Sequence, residues 1–141
     1  MKKIIFSLAI FSLCLTAQEL YTLKVSTKNL RNNKGVVQFS IYNTPNSLPD
    51  EKFKKYFKQK TASIINNTSS ITFKLPKGIY AVNILHDENK NGQIDKGFML
   101  PIEGVGLSNY KTINLFNRPN FKDASFKLNK NKNINIKINY F

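Results

Sequence analysis

The chain has 141 residues, of which 41% are hydrophobic and 21% are charged, and its formal net charge is +14 at pH 7. These values predict one folded domain and exclude a disordered chain. The single cysteine, Cys14, lies in an apolar N-terminal run. A chain that has lost this run has no disulfide, no thiol catalyst and no thiolate metal site.

The N-terminus has the organisation of a signal peptide. Two lysines precede an apolar run over residues 4–15, and Ala17 is a small residue at the expected cleavage position. The run is shorter than the roughly 20 apolar residues that cross a bilayer. We therefore expect a signal peptide over residues 1–17 and a β-sandwich domain over residues 18–141, periplasmic or secreted and without a transmembrane segment.

The basic charge has two interpretations. Cleavage after Ala17 lowers the net charge from +14 to +12, because it removes two lysines and no acid. The lysines are scattered, apart from a cluster between Lys52 and Lys60, which favours an ordinary solvated surface. The alternative is a surface that binds a polyanion, such as lipopolysaccharide or an acidic glycan, through the lysines between Lys52 and Lys60 and those near the C-terminus. Nucleic acid is not an expected partner.

Alternation of apolar and polar residues predicts strands along most of the chain. We expect the first two to form a hairpin through the turn at residues 32–35. The strand over residues 79–85 is apolar at most positions, which is typical of a central strand buried on both faces. The predicted strands cover residues 21–27, 36–42, 61–65, 71–75, 79–85, 126–128 and 134–140.

One stretch has helical spacing. Phe53, Tyr56 and Phe57 fall at i, i+3 and i+4, with Asp50 and Glu51 ahead of them and lysines between and after them. This arrangement predicts one short amphipathic helix. About seven short strands with one short helix are typical of an all-β, antiparallel β-sandwich of transthyretin-like or immunoglobulin-like type.

The segment after the central strand predicts a cation site. Carboxylate and amide oxygens alternate there as in an EF-hand loop, with Gly92 at the sixth position. Phe98 stands where a bidentate glutamate is usual, so the expected affinity for calcium is weak, about 10⁻⁴ to 10⁻³ M. The alternative is a metal-free turn around Gly92. The predicted calcium ligands are Asp87, Asn89, Asn91, Gln93 through its carbonyl, Asp95 and Glu103.

The only histidine, His86, is interpreted as a structural hydrogen-bonding residue at the end of the central strand. With Ser108 or Asp123 it would make a hydrolase-type group, and Glu88, Asp95 and Glu103 offer carboxylate pairs. Nothing in the sequence fixes the geometry of either set. We therefore expect a protein without catalytic activity, with a hydrolase as the less favoured alternative.

Several segments resemble one bacterial family. The run over residues 75–82 (LPKGIYAV) and the following His-Asp-Glu-Asn at 86–89 are similar to the family called domain of unknown function 2141. Further matches lie at residues 35–37, 41–43, 101–106 with Ser108 and Asn109, and 119–126. The resemblance covers nearly all of the chain after the signal peptide. It implies a small exported β protein with no assigned activity.

The sequence as a whole predicts a binding module of the bacterial cell envelope. Residues 97–121 form an irregular segment, rich in glycine and proline, of the length that functional loops have. We expect calcium in the acidic loop to order this segment as a recognition surface for an envelope glycan or protein. No other cofactor is expected.

Overall fold

A computed structural model describes residues 17–114 and 116–141. The predicted signal peptide, apart from Ala17, lies outside these residues. Among the residues described, no helix has the length and apolar character needed to cross a membrane. The elements are β1 (Leu20–Thr27), β2 (Val36–Tyr42), β3 (Lys58–Ala62), β4 (Ser69–Pro76), β5 (Gly78–Asp87), β6 (Gly104–Leu107), α1 (Phe121–Ala124), β7 (Phe126–Leu128) and β8 (Lys132–Asn135).

The strands form two packed sheets, which confirms the predicted all-β sandwich. The first sheet has the order β4-β1-β8, and the second has the order β3-β2-β5-β6, with β7 paired to the beginning of β5. All pairs are antiparallel except β1 and β8, which run parallel. The parallel β1–β8 pair is the one departure from the predicted antiparallel pairing among these strands.

The main core lies between the two sheets. The first sheet contributes Leu23 and Phe73, the second contributes Phe39 and Ile84, and each of these side chains is at most 1% exposed. Ile136 and Ile138, which follow β8, close the same core. Removal of these apolar side chains from water is the main force holding the sheets together.

The second sheet is buried on its other face as well. Ala81 and Leu85 of β5 point away from the main core and are fully buried. They pack in two smaller clusters, against side chains that include Tyr42, Phe53 and Leu107. The loops after β2 and β6 supply this covering layer. The prediction that β5 is a central strand buried on both faces is confirmed.

The predicted hairpin of the first two strands is wrong. β1 pairs with β4 and β8, whereas β2 pairs with β3 and β5 in the other sheet. The connection between β1 and β2 must therefore cross the sandwich. Leu30, which is 2% exposed, anchors it in the core, and the Leu30 N–H donates to the Asn67 carbonyl at 3.0 Å.

The short helix predicted from Phe53, Tyr56 and Phe57 is also wrong. These residues form turns that lead into β3, because the Asp50 carboxylate accepts the Lys55 N–H at 2.7 Å and Phe53 has a φ of +48°. The one helix is α1, where the Asn120 side chain accepts the Asp123 N–H at 2.9 Å and caps the first turn.

Several other elements also differ from the sequence prediction. The third strand begins at Lys58 rather than at residue 61, and β6 was not predicted. β8 ends at Asn135, but the chain beyond it stays attached to both sheets. The Ile136 N–H donates to the Ser26 carbonyl at 2.8 Å, and Asn139 and Val105 exchange two backbone hydrogen bonds.

Candidate functional site

The acidic loop begins at the buried end of β5. Asp87, 2% exposed, accepts the N–H groups of Asn91 at 3.1 Å and Gly92 at 2.8 Å. Lys90 and Gly92 have positive φ values of 61° and 73°, which turn the chain back over the Asp87 carboxylate. Gly92 is suited to this position because glycine adopts positive φ without steric cost.

Asp95 closes the loop from its other end. Its carboxylate accepts the side-chain amides of Asn89 at 2.6 Å and Asn91 at 2.9 Å. The amide oxygens of these two asparagines accept the backbone N–H groups of Asn91 and Gln93. Each amide therefore directs its nitrogen, not its oxygen, toward Asp95.

Glu103 reaches the same loop from the residue before β6. The side chain is 4% exposed, and its two oxygens accept the backbone N–H groups of Glu88 at 2.9 Å and Asp95 at 3.5 Å. Burial raises the pKa of Glu103, and the charges of Asp87 and Asp95 add to this effect, while the two backbone hydrogen bonds oppose it.

The predicted ligands thus belong to one hydrogen-bonded loop. Asp87, Asp95 and Glu103 make no ion pair with any residue that the structure describes. Within residues 17–114 and 116–141, no three histidine, cysteine or acidic side chains stand close enough to hold a metal ion as they are placed. Oxygen donors of this type suit a hard cation. Binding would require the amides of Asn89 and Asn91 to turn their oxygens inward.

Glu88 points away from the other acids. Its carboxylate pairs with the Arg31 guanidinium, with 2.5 Å between Nε and Oε1, and also accepts the Asn32 amide at 3.4 Å. Burial raises the pKa of Glu88, but the hydrogen bonds from Arg31 and Asn32 outweigh it and leave the pKa below its usual value. This ion pair ties the acidic loop to the β1–β2 connection.

His86 is fully buried, and both of its ring nitrogens have partners. Nε2 lies 2.9 Å from the Lys34 carbonyl and Nδ1 lies 2.7 Å from the Tyr140 hydroxyl. Since a carbonyl only accepts, Nε2 carries the proton and Nδ1 accepts from Tyr140. The Tyr140 hydroxyl also accepts the Arg31 N–H at 3.1 Å. His86 therefore joins β5, the β1–β2 connection and the C-terminal segment.

The other polar candidates anchor α1. The Ser108 hydroxyl donates to the Ala124 carbonyl at 2.6 Å and accepts the Val82 N–H at 2.9 Å. The Asn109 amide donates to the carbonyls of residues 123, 124 and 125. Asp123 bonds to its helix cap. Neither Ser108 nor Asp123 is hydrogen-bonded to His86, so the structure does not bring the hydrolase-type group together.

Sequence reasoning missed a cleft between the loops that cover the second sheet. It has a volume of about 280 Å³ and is lined mainly by apolar side chains, among them Leu100, Val105 and Ile113. Two polar residues at least nine-tenths buried, Asp50 and Asn83, also line it. The cleft draws on segments near residues 50, 83, 100 and 118, so no local pattern in the sequence could have revealed it.

The polar side of the cleft is held by Asp50. Its carboxylate accepts the Tyr42 hydroxyl at 3.1 Å in addition to the Lys55 N–H. Burial and the Asp50 charge both raise the pKa of Tyr42. The tyrosine is therefore a neutral donor that holds the carboxylate in place.

Exposed apolar side chains occur in the two loops that line the cleft near residues 100 and 114, and Met99 is itself a lining residue. Phe98 is 100% exposed, Phe116 is 99% exposed and Met99 is 60% exposed. Nearby, Lys96 pairs with Glu51 at 2.7 Å. The sequence signal for this feature was the run Phe-Met-Leu-Pro at residues 98–101, set in an otherwise polar loop.

The two sheets, the acidic loop and the cleft together define a small all-β sandwich protein with one elaborated face. The chain belongs to the family whose model is described as "Uncharacterized protein conserved in bacteria (DUF2141)", which matches residues 25–137. This confirms the resemblance seen in the sequence. No curated protein and no solved structure matches the chain.

Replacement of Tyr140 by phenylalanine tests the network around His86. The substitution leaves the buried Nδ1 of His86 without a donor and the Arg31 N–H without its acceptor, so we expect a loss of about 1–3 kcal/mol in the free energy of unfolding. Tyr21→Phe is the matched control, because the Tyr21 hydroxyl bonds only to the exposed Glu19. Urea denaturation measures both; equal losses would contradict this role of His86.

Proposed function

We propose that this protein is an exported, non-catalytic binding module of the bacterial cell envelope. Its recognition surface is the loop-covered face of the second sheet, and its acidic loop binds calcium weakly and stabilises that face. The partner is an envelope glycan or protein. The observation that carries the proposal is the cleft on this face.

The cleft has the character of a binding site. It is concave and mainly apolar, and it contains a few polar groups at fixed positions, which is the usual composition of ligand sites. Asp50 and Asn83 supply an acceptor and a carboxamide, while Arg118 supplies a cation at the edge. The polar residues fix the orientation of a ligand and the apolar wall supplies most of its contact area.

The buried negative charges of the acidic loop favour calcium binding. Asp87 and Glu103 are almost fully buried, and among the residues described their carboxylates are hydrogen-bonded only by backbone N–H groups. Buried charges without a partner are costly, and a divalent cation would remove that cost. Glu103 also connects the loop to β6, which lines the cleft through Val105 and Leu107. Calcium in the loop would therefore stabilise one wall of the cleft.

The anionic dye 1-anilinonaphthalene-8-sulfonate tests the cleft. We expect the folded protein to bind the dye, because the apolar wall accepts its rings and Arg118 favours its sulfonate. Leu100→Asp places a charge in the cleft and should weaken binding by about tenfold. Ile65→Asp, at a 68% exposed turn outside the cleft, is the control. Equal fluorescence titrations for the two variants would contradict a cleft site.

Calcium should raise the melting temperature. At a concentration tenfold above Kd, one site adds about 1.4 kcal/mol to the free energy of unfolding, or roughly 3–6 °C in Tm. Asp95→Asn should abolish the response, while Asp123→Asn, an acid outside the loop, should retain it. Because the pKa of Glu103 is raised, protons should compete with calcium at a higher pH than for an ordinary glutamate. No calcium effect at millimolar ion would remove the metal site from the proposal.

A second candidate function rests on the outer face of the first sheet. Apart from Leu20 and Pro76, which pair at one end, the outward residues of β1 and β4 are hydroxyl-bearing or lysine side chains, and those of β8 are asparagines. Lys58 and Lys60 reach from β3 to the Lys74 and Thr72 carbonyls at the edge of this face. These four strands carry no acidic residue. Such a face suits a polyanion such as lipopolysaccharide or an acidic glycan.

Heparin chromatography tests the polyanion surface. The triple variant Lys24→Gln, Lys60→Gln and Lys74→Gln should elute at lower salt, with the slope of log affinity against log salt reduced by about two to three. The control is Lys90→Gln, Lys111→Gln and Lys122→Gln, which has the same net charge but leaves this face intact. An equal shift for both triples would show a response to net charge alone.

A further inference from the structure

We propose that the mouth of the cleft docks on the surface of an anionic lipid bilayer through four apolar side chains. They are Phe98, Met99, Ile102 and Phe116, which we call the apolar tips. This inference adds a lipid surface to the glycan or protein partner proposed above, and it rests on the proposed function because it uses the same face.

The exposure of the apolar tips is the first observation. Phe98 and Phe116 are 100% and 99% exposed, and Met99 and Ile102 are 60% and 55% exposed. Single exposed apolar residues are ordinary, whereas several large ones on neighbouring loops indicate an interaction surface. The residues beside them line a single cleft, so the two loops that carry them are neighbours.

Charge is the second observation. Between Lys96 and Pro119 the sequence has three cations, Lys96, Lys111 and Arg118, and one acid, Glu103. Glu103 is 4% exposed and bonded to backbone N–H groups, while the three cations are exposed. Glu51, which is also exposed, is paired with Lys96. Because Lys96 is paired, Lys111 and Arg118 are the cations of these loops that form no salt bridge with a described residue. Positive charge beside exposed apolar side chains is the combination that binds the interface of anionic membranes.

The same charge disfavours a second copy of the chain as the occupant. Two chains of net charge +14, or +12 after signal cleavage, would bring like charges together on this face. An anionic bilayer reverses the sign of that interaction. The fully exposed phenylalanines also stand at loop tips rather than inside the concave cleft, and this shape suits insertion among lipid headgroups.

The absence of tryptophan from the chain allows a direct test. Phe98→Trp creates a single fluorophore at an apolar tip, and Ile65→Trp creates one at the exposed turn between β3 and β4. Vesicles of phosphatidylethanolamine with phosphatidylglycerol are added to each variant. We expect the emission of Phe98→Trp to move to shorter wavelength and to become protected from acrylamide, with no change for Ile65→Trp.

Co-sedimentation with the same vesicles measures affinity. Phe98→Ser and Phe116→Ser should each lower the partition coefficient by about tenfold, and Ile65→Ser should leave it unchanged. Vesicles of phosphatidylcholine alone should bind less of the protein. Circular dichroism of each variant reports whether the fold is retained.

Two outcomes would overturn the inference. One is an emission spectrum of Phe98→Trp that does not respond to anionic vesicles. The other is a shift that depends on protein concentration without vesicles, which would show a second copy on the apolar tips. The dye titration of the cleft uses no lipid and so separates failure of this inference from failure of the proposed function.

Discussion

The burial of β5 on both faces is the constraint on which the rest of the structure depends. One face packs in the core between the sheets, so the other requires a cover, which the loops after β2 and β6 provide. Loops give a less regular surface than a third sheet would. The cleft lies within this covering layer, so the feature that carries the proposed function follows from the need to bury a central strand.

The same strand fixes the position of the acidic loop. His86 is the last inward-facing residue of β5, and its two hydrogen bonds hold the strand end to the β1–β2 connection and to Tyr140. Asp87 therefore starts the loop from a rigid position. The carboxylates of Asp87 and Glu103 accept backbone N–H groups and so fix the shape of the loop. The two acids therefore have a structural role that does not depend on a bound ion.

Several parts of this fold could be predicted because they depend on local patterns. Alternation located β1, β2, β4 and β5, and the apolar character of β5 gave its central place. Pairing partners were not local: the turn before β2 resembled a hairpin, yet Leu30 carries that connection across the sandwich. The aromatic spacing at Phe53 resembled a helix, but Asp50 closes turns there instead.

The candidate site also has one part that the sequence could predict and one part that it could not. The acidic loop is contiguous, so its composition was visible in the sequence, whereas the direction of the Asn89 and Asn91 amides depends on hydrogen bonds that composition does not determine. The cleft unites residues that lie far apart in the chain. Asp50 and Asn83 meet there because the loop after β2 folds over β5 of the second sheet.

The parallel pairing of β1 with β8 affects the order in which the chain can assemble. β1 is the central strand of the first sheet, between β4 and β8, and β8 is the last strand to be synthesised. The second sheet has all of its strands earlier, by residue 128. A chain that emerges in sequence order can therefore pair the strands of the second sheet while β1 still lacks its neighbour β8.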